Sequence, residues 1–210
     1  MDILCLPLGQ YLTNTYLVSC ADGSALVVDP AGDPETILRA ASGHQVSAIL
    51  LTHGHPDHTG ALAEVRQATG APVGVHPADA PLLAATPDFA LHDGQTVRFG
   101  HCQVHVHHLP GHTAGSVALE LDRQRWLVGD AIFPGGPGHT DSPADFCQLI
   151  QTLRERIFVL PEETELLPGH GISTTVGREI EPFQAFLRHG WPAGACGDVN
   201  WDIQPKGIDD

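Results

Sequence analysis

Short apolar runs separated by turn residues occupy most of this chain. Residues 3–8, 15–20 and 25–28 read as three strands, with Gly9-Gln10 and Ala21-Asp22-Gly23-Ser24 as the turns between them. Such close spacing predicts an antiparallel meander. A helix follows: Asp33 is its cap, Pro34 its first position, and Ile37, Leu38 and Ala41 its apolar stripe, with Gly43 as its stop. Residues 46–51 form the next strand and 59–69 the next helix, ended by Gly70. Residues 72–76 are a short strand and 80–85 a short helix, opened by Pro77-Ala78-Asp79; 87–93 is loop. His76, at that strand's end, has no catalytic partner in view. Strands at 95–99, 102–109, 117–121 and 126–128 come next. Their alternation puts His105 and His107 with Gln103 on a solvent face. His108 falls with Val104 and Val106, as a core or supporting histidine rather than a ligand. Ser142-Pro143-Ala144-Asp145 then opens an amphipathic helix whose Phe146, Leu149, Ile150, Leu153 and Ile157 recur at helical spacing. A strand at 165–167 and a helix at 175–188 complete the pattern. No linker or low-complexity tract interrupts it. The chain therefore reads as one domain over 1–189 and a tail over 190–210, with Trp191 and Trp201 able to fix that tail to the surface.

Composition removes several function classes. A length of 210 residues and 42% hydrophobic content suit one soluble core. No apolar run approaches the ~20 residues of a membrane span. The opening Met1-Asp2-Ile3-Leu4-Cys5 carries an acid where a signal peptide carries basic residues. A cytoplasmic protein without a membrane partner is expected. The net charge is -15, with Lys206 the single lysine, and no basic cluster is present to bind nucleic acid. Five cysteines, Cys5, Cys20, Cys102, Cys147 and Cys196, are scattered without a C-x-x-C pair, so most are expected as reduced thiols and no disulfide framework is expected.

The fourteen histidines change the picture. Thr52-His53-Gly54-His55-Pro56-Asp57-His58-Thr59-Gly60 sits on a loop between an apolar strand and a helix, where scaffolds present chemistry. The residue before a proline is held extended, so His53 and His55 point to the same side. Pro56-Asp57 turns the chain, and Asp57 and His58 can face a neighbouring point. Three later loops also follow apolar strands and set one His or Asp beside glycine: Gly111-His112, Gly129-Asp130 and Gly169-His170-Gly171. Five His and two Asp suit two divalent cations with nitrogen and oxygen donors, and without a thiolate a structural zinc site is excluded. Thr59, Thr113 and Ser116 stand where they can bond to these ligands or serve as ordinary turn residues.

The ordered set T-H-G-H-P-D-H-T-G, P-G-H-T-A-G-S, G-D-A-I-F and L-P-G-H-G resembles the metallo-β-lactamase superfamily, and within it glyoxalase II (hydroxyacylglutathione hydrolase) and its short relatives. The resemblance runs from about residue 3 to residue 186. It implies an α/β fold, an αββα sandwich of two mixed sheets flanked by helices. It implies one metal on His53, His55 and His112, a second on Asp57, His58 and His170, and Asp130 bridging them. It implies a binuclear hydrolase in which a metal-bridging hydroxide cleaves a small thioester or ester, with Asp57 orienting that hydroxide and His139 and Thr140 at the substrate. Zinc is the first expectation for the two ions, with iron or manganese as alternatives. The sequence departs from full-length glyoxalase II in having only forty residues after His170, with few basic groups to grip glutathione carboxylates. Two rival activities stay open: a persulfide dioxygenase with one iron on His53, His112 and Asp130, and a lactonase or β-lactamase. Zinc β-lactamases generally lack a bridging aspartate at the position of Asp130, which weighs against the last.

Overall fold

A computed structural model describes residues 1–202; Lys206 and the rest of 203–210 lie outside the described residues. Two six-stranded sheets stack face to face. The first carries β1 (Asp2–Leu8), β2 (Thr13–Ser19), β3 (Ser24–Val28), β4 (Gln45–Leu50), β5 (Val73–Val75) and β6 (Phe89–Ala90), in that order. β1 to β3 are the antiparallel meander, while β3 to β6 pair parallel. The second sheet carries β7 (Thr96–Phe99), β8 (Cys102–His108), β9 (Val117–Asp122) and β10 (Arg125–Gly129). After a small ribbon of β11 (Ile132–Phe133) and β12 (Gly136–Pro137), it is completed by β13 (Glu165–Pro168) and β14 (Thr174–Thr175). Its order is β14-β13-β10-β9-β8-β7, with only β10 and β13 parallel.

Side-chain alternation explains the layering. Along β4, Ala48 and Leu50 point into a core between the sheets, while Ile49 and Leu51 point into a second core under the helices. β2 and β3 divide the same way: Tyr16, Val18, Leu26 and Val28 face the other sheet, and Leu17, Ala25 and Val27 face outward. In the second sheet Leu119 and Leu127 face inward, and Ala118, Trp126 and Val128 face a third core. Strands buried on both faces read as continuous apolar runs, which is why these segments were visible in the sequence. Helix α1 (Pro34–Ala40) and α3 (Leu62–Thr69) cover the first sheet through Ile37 and Val65. Helix α4 (Pro143–Thr152), extended by a π turn at Leu153–Ile157, and α5 (Val176–His189) cover the second. Four layers result, helix, sheet, sheet, helix.

Capping follows the sequence. Asp33 accepts from Thr36 N–H at 3.2 Å and Ser142 from Asp145 N–H at 3.2 Å, with Pro34 and Pro143 at the first helical turn. Three details differ. The helix expected over 59–69 is split into α2 (Pro56–Thr59) and α3, because Ala61 N–H donates to Pro30 O at 2.9 Å across the break. Residues 80–85 form only a 3-10 turn, Ala80–Leu82, and the expected loop 87–93 contributes strand β6. The thiol expectation is corrected for one pair: Cys20 and Cys102 are bonded, 82 residues apart, joining the end of β2 to the start of β8. Only the stacking of the sheets brings these two together, so their spacing in the sequence carried no sign of it. Cys5, Cys147 and Cys196 are free. Thiol titration of the native protein is therefore expected to find three groups, rising to five after reduction and unfolding. Reduction should cost about 2–4 kcal/mol of stability, read as a drop in melting temperature of about 5–15 °C; five native thiols would contradict the bridge.

The C-terminal stretch packs on the second helical layer. Trp201 is buried, its indole N–H donating to Glu179 at 2.9 Å, and Trp191 stacks on Phe186 with ring centres 5.3 Å apart. No helix among the described residues is long and apolar enough to cross a membrane.

Candidate functional site

The carboxyl ends of the strands converge at one edge of the sandwich. β3 ends at Asp29, β4 leads into His53, β8 into His112, β10 into Asp130 and β13 into His170. Parallel pairing of β3 with β4, and of β10 with β13, is what brings these ends to one side. Asn14 fastens the two sheets there: its N–H donates to Gly169 O at 2.7 Å and its side-chain amide to Pro168 O and Gly171 O at 3.0 Å each.

Three nitrogens meet in one group. His112 Nε2 lies 3.2 Å from His53 Nε2 and 3.0 Å from His55 Nδ1. His55 is extended (φ -64, ψ 148) before Pro56, as its sequence context demands. A second group gathers Asp57, His58 and His170, with His170 Nε2 3.2 Å and His58 Nε2 3.7 Å from Asp57 Oδ2. Asp130 stands between the two. Its Oδ1 is 3.3 Å from His58 Nε2, and its Oδ2 is 3.4 Å from His170 Nε2 and 3.8 Å from His112 Nε2. All seven residues read from the sequence are therefore brought into one cluster.

The donor set fits a divalent cation. His58 Nε2 and Asp130 Oδ1 are both buried and neither has a hydrogen-bond partner. Two such groups 3.3 Å apart form a pair that a shared cation would satisfy. The other ring nitrogens are already committed. His58 Nδ1 bonds Asp29 Oδ2 at 2.9 Å, His112 Nδ1 donates to His139 O at 2.8 Å, and His170 Nδ1 donates to Tyr11 O at 3.2 Å. Each contact selects the tautomer that leaves Nε2 free to ligate. Burial holds His53 well below the usual histidine range, which favours the neutral ring a ligand must be. Burial also opposes charge on Asp130, but the neighbouring His170 and His58 rings reverse this and hold its carboxyl well below the usual range. On His58 burial again opposes the charge, yet Asp29 and Asp130 raise the ring to about 10. The negative field that holds a proton there equally favours a metal ion in its place.

Gly169 shows how tightly the cluster is built. A Cβ there would lie 2.0 Å from Asp130 Oδ1 and 2.5 Å from His58 Cε1, so the glycine makes room for both side chains.

Other candidates fall elsewhere. The Thr59 hydroxyl donates to His55 O at 3.2 Å, an ordinary helical contact. The His139 ring is half exposed beside Asp141 and Asp198, at 3.6 and 3.0 Å. Thr140 is buried and pairs through its backbone with Gly197. His108 donates to Ala114 O at 2.9 Å and stacks on His76, while His107 stacks on Trp126 and pairs with Glu120. Two buried acids escaped the sequence reading. Asp29 accepts from Thr52 N–H at 2.7 Å, from the Thr52 hydroxyl and from His58. Asp79 is buried between the loop of His53 and His55 and the loop of His112. The signal for Asp29 was present, an acid closing an apolar strand as Asp130 does, but Asp29-Pro30 also reads as turn chemistry.

Comparison with known proteins agrees with this geometry. The profile of the metallo-beta-lactamase superfamily matches residues 8–170. A hydroxyacylglutathione hydrolase of Anaeromyxobacter dehalogenans is 42% identical over 158 residues, covering 74% of this chain and 60% of that protein. The crystal structure of the B3 metallo-beta-lactamase BLEG-1 superposes with a TM-score of 0.79 at 31% identity, over 86% of this chain and 97% of the other. That of TTHA1623, in a di-iron-bound form, gives 0.73 at 36% identity, over 84% and 96%.

Proposed function

The chain belongs to the metallo-β-lactamase superfamily, and within it we propose a hydrolase that holds two divalent ions and cleaves a small acyl thioester or ester. One observation carries this reading: the Asp130 carboxylate faces His58 and His170 on one side and His112 on the other, so a single group spans both triplets. His53, His55 and His112 would hold one ion, Asp57, His58 and His170 the other. Two ions bound there would supply hydroxide at neutral pH and would polarise a substrate carbonyl. Asp57, steadied by the Thr13 hydroxyl at 3.1 Å, is placed to accept a hydrogen bond from the attacking hydroxide and so to aim it. Asp57 and Asp130 would cancel only two of the four charges of such a pair, which would leave the site positive enough to favour an oxyanion and then a thiolate. A thiolate needs little protonation to leave, so neither a protein nucleophile nor a general acid is required.

The mouth supports an uncharged, partly apolar substrate. Tyr11, Leu12 and Ile172 are 65%, 63% and 75% exposed on the two loops that meet at His170, and a cavity of about 500 Å³ opens there between Tyr11, Pro56, Asp57 and His170. Asp141 and Asp198 add negative charge beside His139. Among the described residues, no arginine pairs with Asp57 or Asp130, whose ion-pair partners are histidines.

A second reading, the one-iron persulfide dioxygenase, rests on the convergence of His53, His112 and Asp130. Elemental analysis joined to a substrate panel separates the two. Two ions per chain, zinc first, with turnover of acyl thioesters is the expected result. One iron with oxygen uptake on a persulfide establishes the second reading, and turnover of a β-lactam or lactone without any thioester overturns the first.

A further inference from the structure

Asp79 looks in the sequence like a helix cap. It does precede the turn Ala80–Leu82, yet its side chain makes no cap bond. The carboxylate is buried, with the residue 1% exposed, and it is bonded elsewhere. Oδ2 accepts the Gly54 N–H at 2.9 Å and the Thr113 hydroxyl at 2.7 Å. Oδ1 accepts the Gly115 N–H at 2.7 Å. Gly54 lies between His53 and His55, and Thr113 follows His112. One carboxylate thus bonds to both loops that carry the three-histidine group, and to neither Asp57 nor His170.

We propose that Asp79 is a positioning residue for the three-histidine half of the site, holding the His53/His55 pair at a set distance from His112. The inference rests on the reading that these histidines hold an ion. The two loops come from different sheets, one after β4 and one after β8. Between the sheets the contact is mainly apolar, and apolar packing is not directional. Ligands must be held within about 0.5 Å of their productive places, which calls for directional bonds. A backbone bond from Val117 N–H to Thr52 O, 2.8 Å, ties the strand ends but lies outside the histidines. Asp79 supplies the tie at the histidines themselves, and bonds to a charged acceptor are roughly twice as strong as neutral ones. The surroundings are shaped for it: a Cβ on Gly115 would stand 2.5 Å from Asp79 Oδ1. Thr113 is then placed by its neighbour too, since Ser116 Oγ lies 2.7 Å from its hydroxyl and accepts its N–H at 3.1 Å.

The test is metal binding, read without turnover. Asp79→Asn keeps size but turns an NH₂ toward one of three donors. Cobalt titration of wild type followed by absorption spectroscopy should show two binding steps, and His55→Ala identifies the step belonging to the three histidines. In Asp79→Asn that step should weaken about 10–100-fold, with the other step unchanged. Thr113→Val, which removes one of the three bonds, should weaken the same step by a smaller factor and serves alone if the asparagine variant does not fold. Unaltered affinities at both steps beside a lowered melting temperature would make Asp79 merely structural and overturn the proposal. Equal weakening of both steps overturns it as well. A wild type in which His55→Ala removes no step sinks the underlying metal reading, and the proposal with it.

Discussion

Replacing Asp130 by alanine is expected to lower kcat/KM by about 10³-fold, a loss of several kcal/mol of the stabilisation that paired metal ions supply. The bound ions should fall from two per chain to one or fewer. The Asp130 carboxylate reaches both groups, 3.3 Å from His58, 3.4 Å from His170 and 3.8 Å from His112. Without it each triplet loses a shared oxygen, and the two lose the group that sets their separation. Elemental analysis and steady-state kinetics on the same preparation decide the matter. Two ions and undiminished turnover in Asp130→Ala would falsify the bridging role. Asp130→Asn gives the finer comparison, since it keeps the shape and one oxygen while removing the charge.

Asp29→Ala is expected to act chiefly on folding, by about 3–5 kcal/mol, the usual cost of breaking a buried charged pair. The Asp29 carboxylate is 1% exposed and accepts from Thr52 N–H, from the Thr52 hydroxyl and from His58. Its removal leaves a buried amide and a buried histidine without partners. It also frees the His58 ring to turn, so Nε2 is no longer presented to the cluster, and metal affinity should fall by a further ~10–100-fold. Denaturant unfolding in the presence of a chelator isolates the folding loss, and metal titration the rest. A stability within 1 kcal/mol of wild type would show that Thr52 and His58 find other partners.

The difference between these two acids measures what is legible in a linear chain. Both close an apolar strand. Asp130 was found because glycine precedes it and three other loops share its form; Asp29, followed by proline, carries the same letters as an ordinary turn. Asp79 was misread for a related reason: a Pro-Ala-Asp string before a turn satisfies capping rules, and nothing local says that its carboxylate is used 25 and 36 residues away. The break at Gly60 and Ala61 depends on Pro30, and the Cys20–Cys102 bond on the stacking of two sheets. Each of these misreadings comes from a partner distant along the chain.

Local physics already sufficed for the ligand loop at its own scale. Pro56 holds His55 extended and starts α2, so His53 and His55 separate from Asp57 and His58 through backbone geometry that six consecutive residues impose. Double-sided burial likewise wrote itself into β2, β3, β4 and β10 as short apolar runs at 16–18, 25–28, 48–50 and 126–128. The folded chain supplied the rest. Parallel pairing of β3 with β4 and of β10 with β13 sends four strand ends to one edge, and Asp130 meets His58 across 72 residues of sequence that no short-range preference can span. A ligand loop can be encoded by steric rules between neighbours; a shared carboxylate between two metal positions exists only where long-range packing closes the distance.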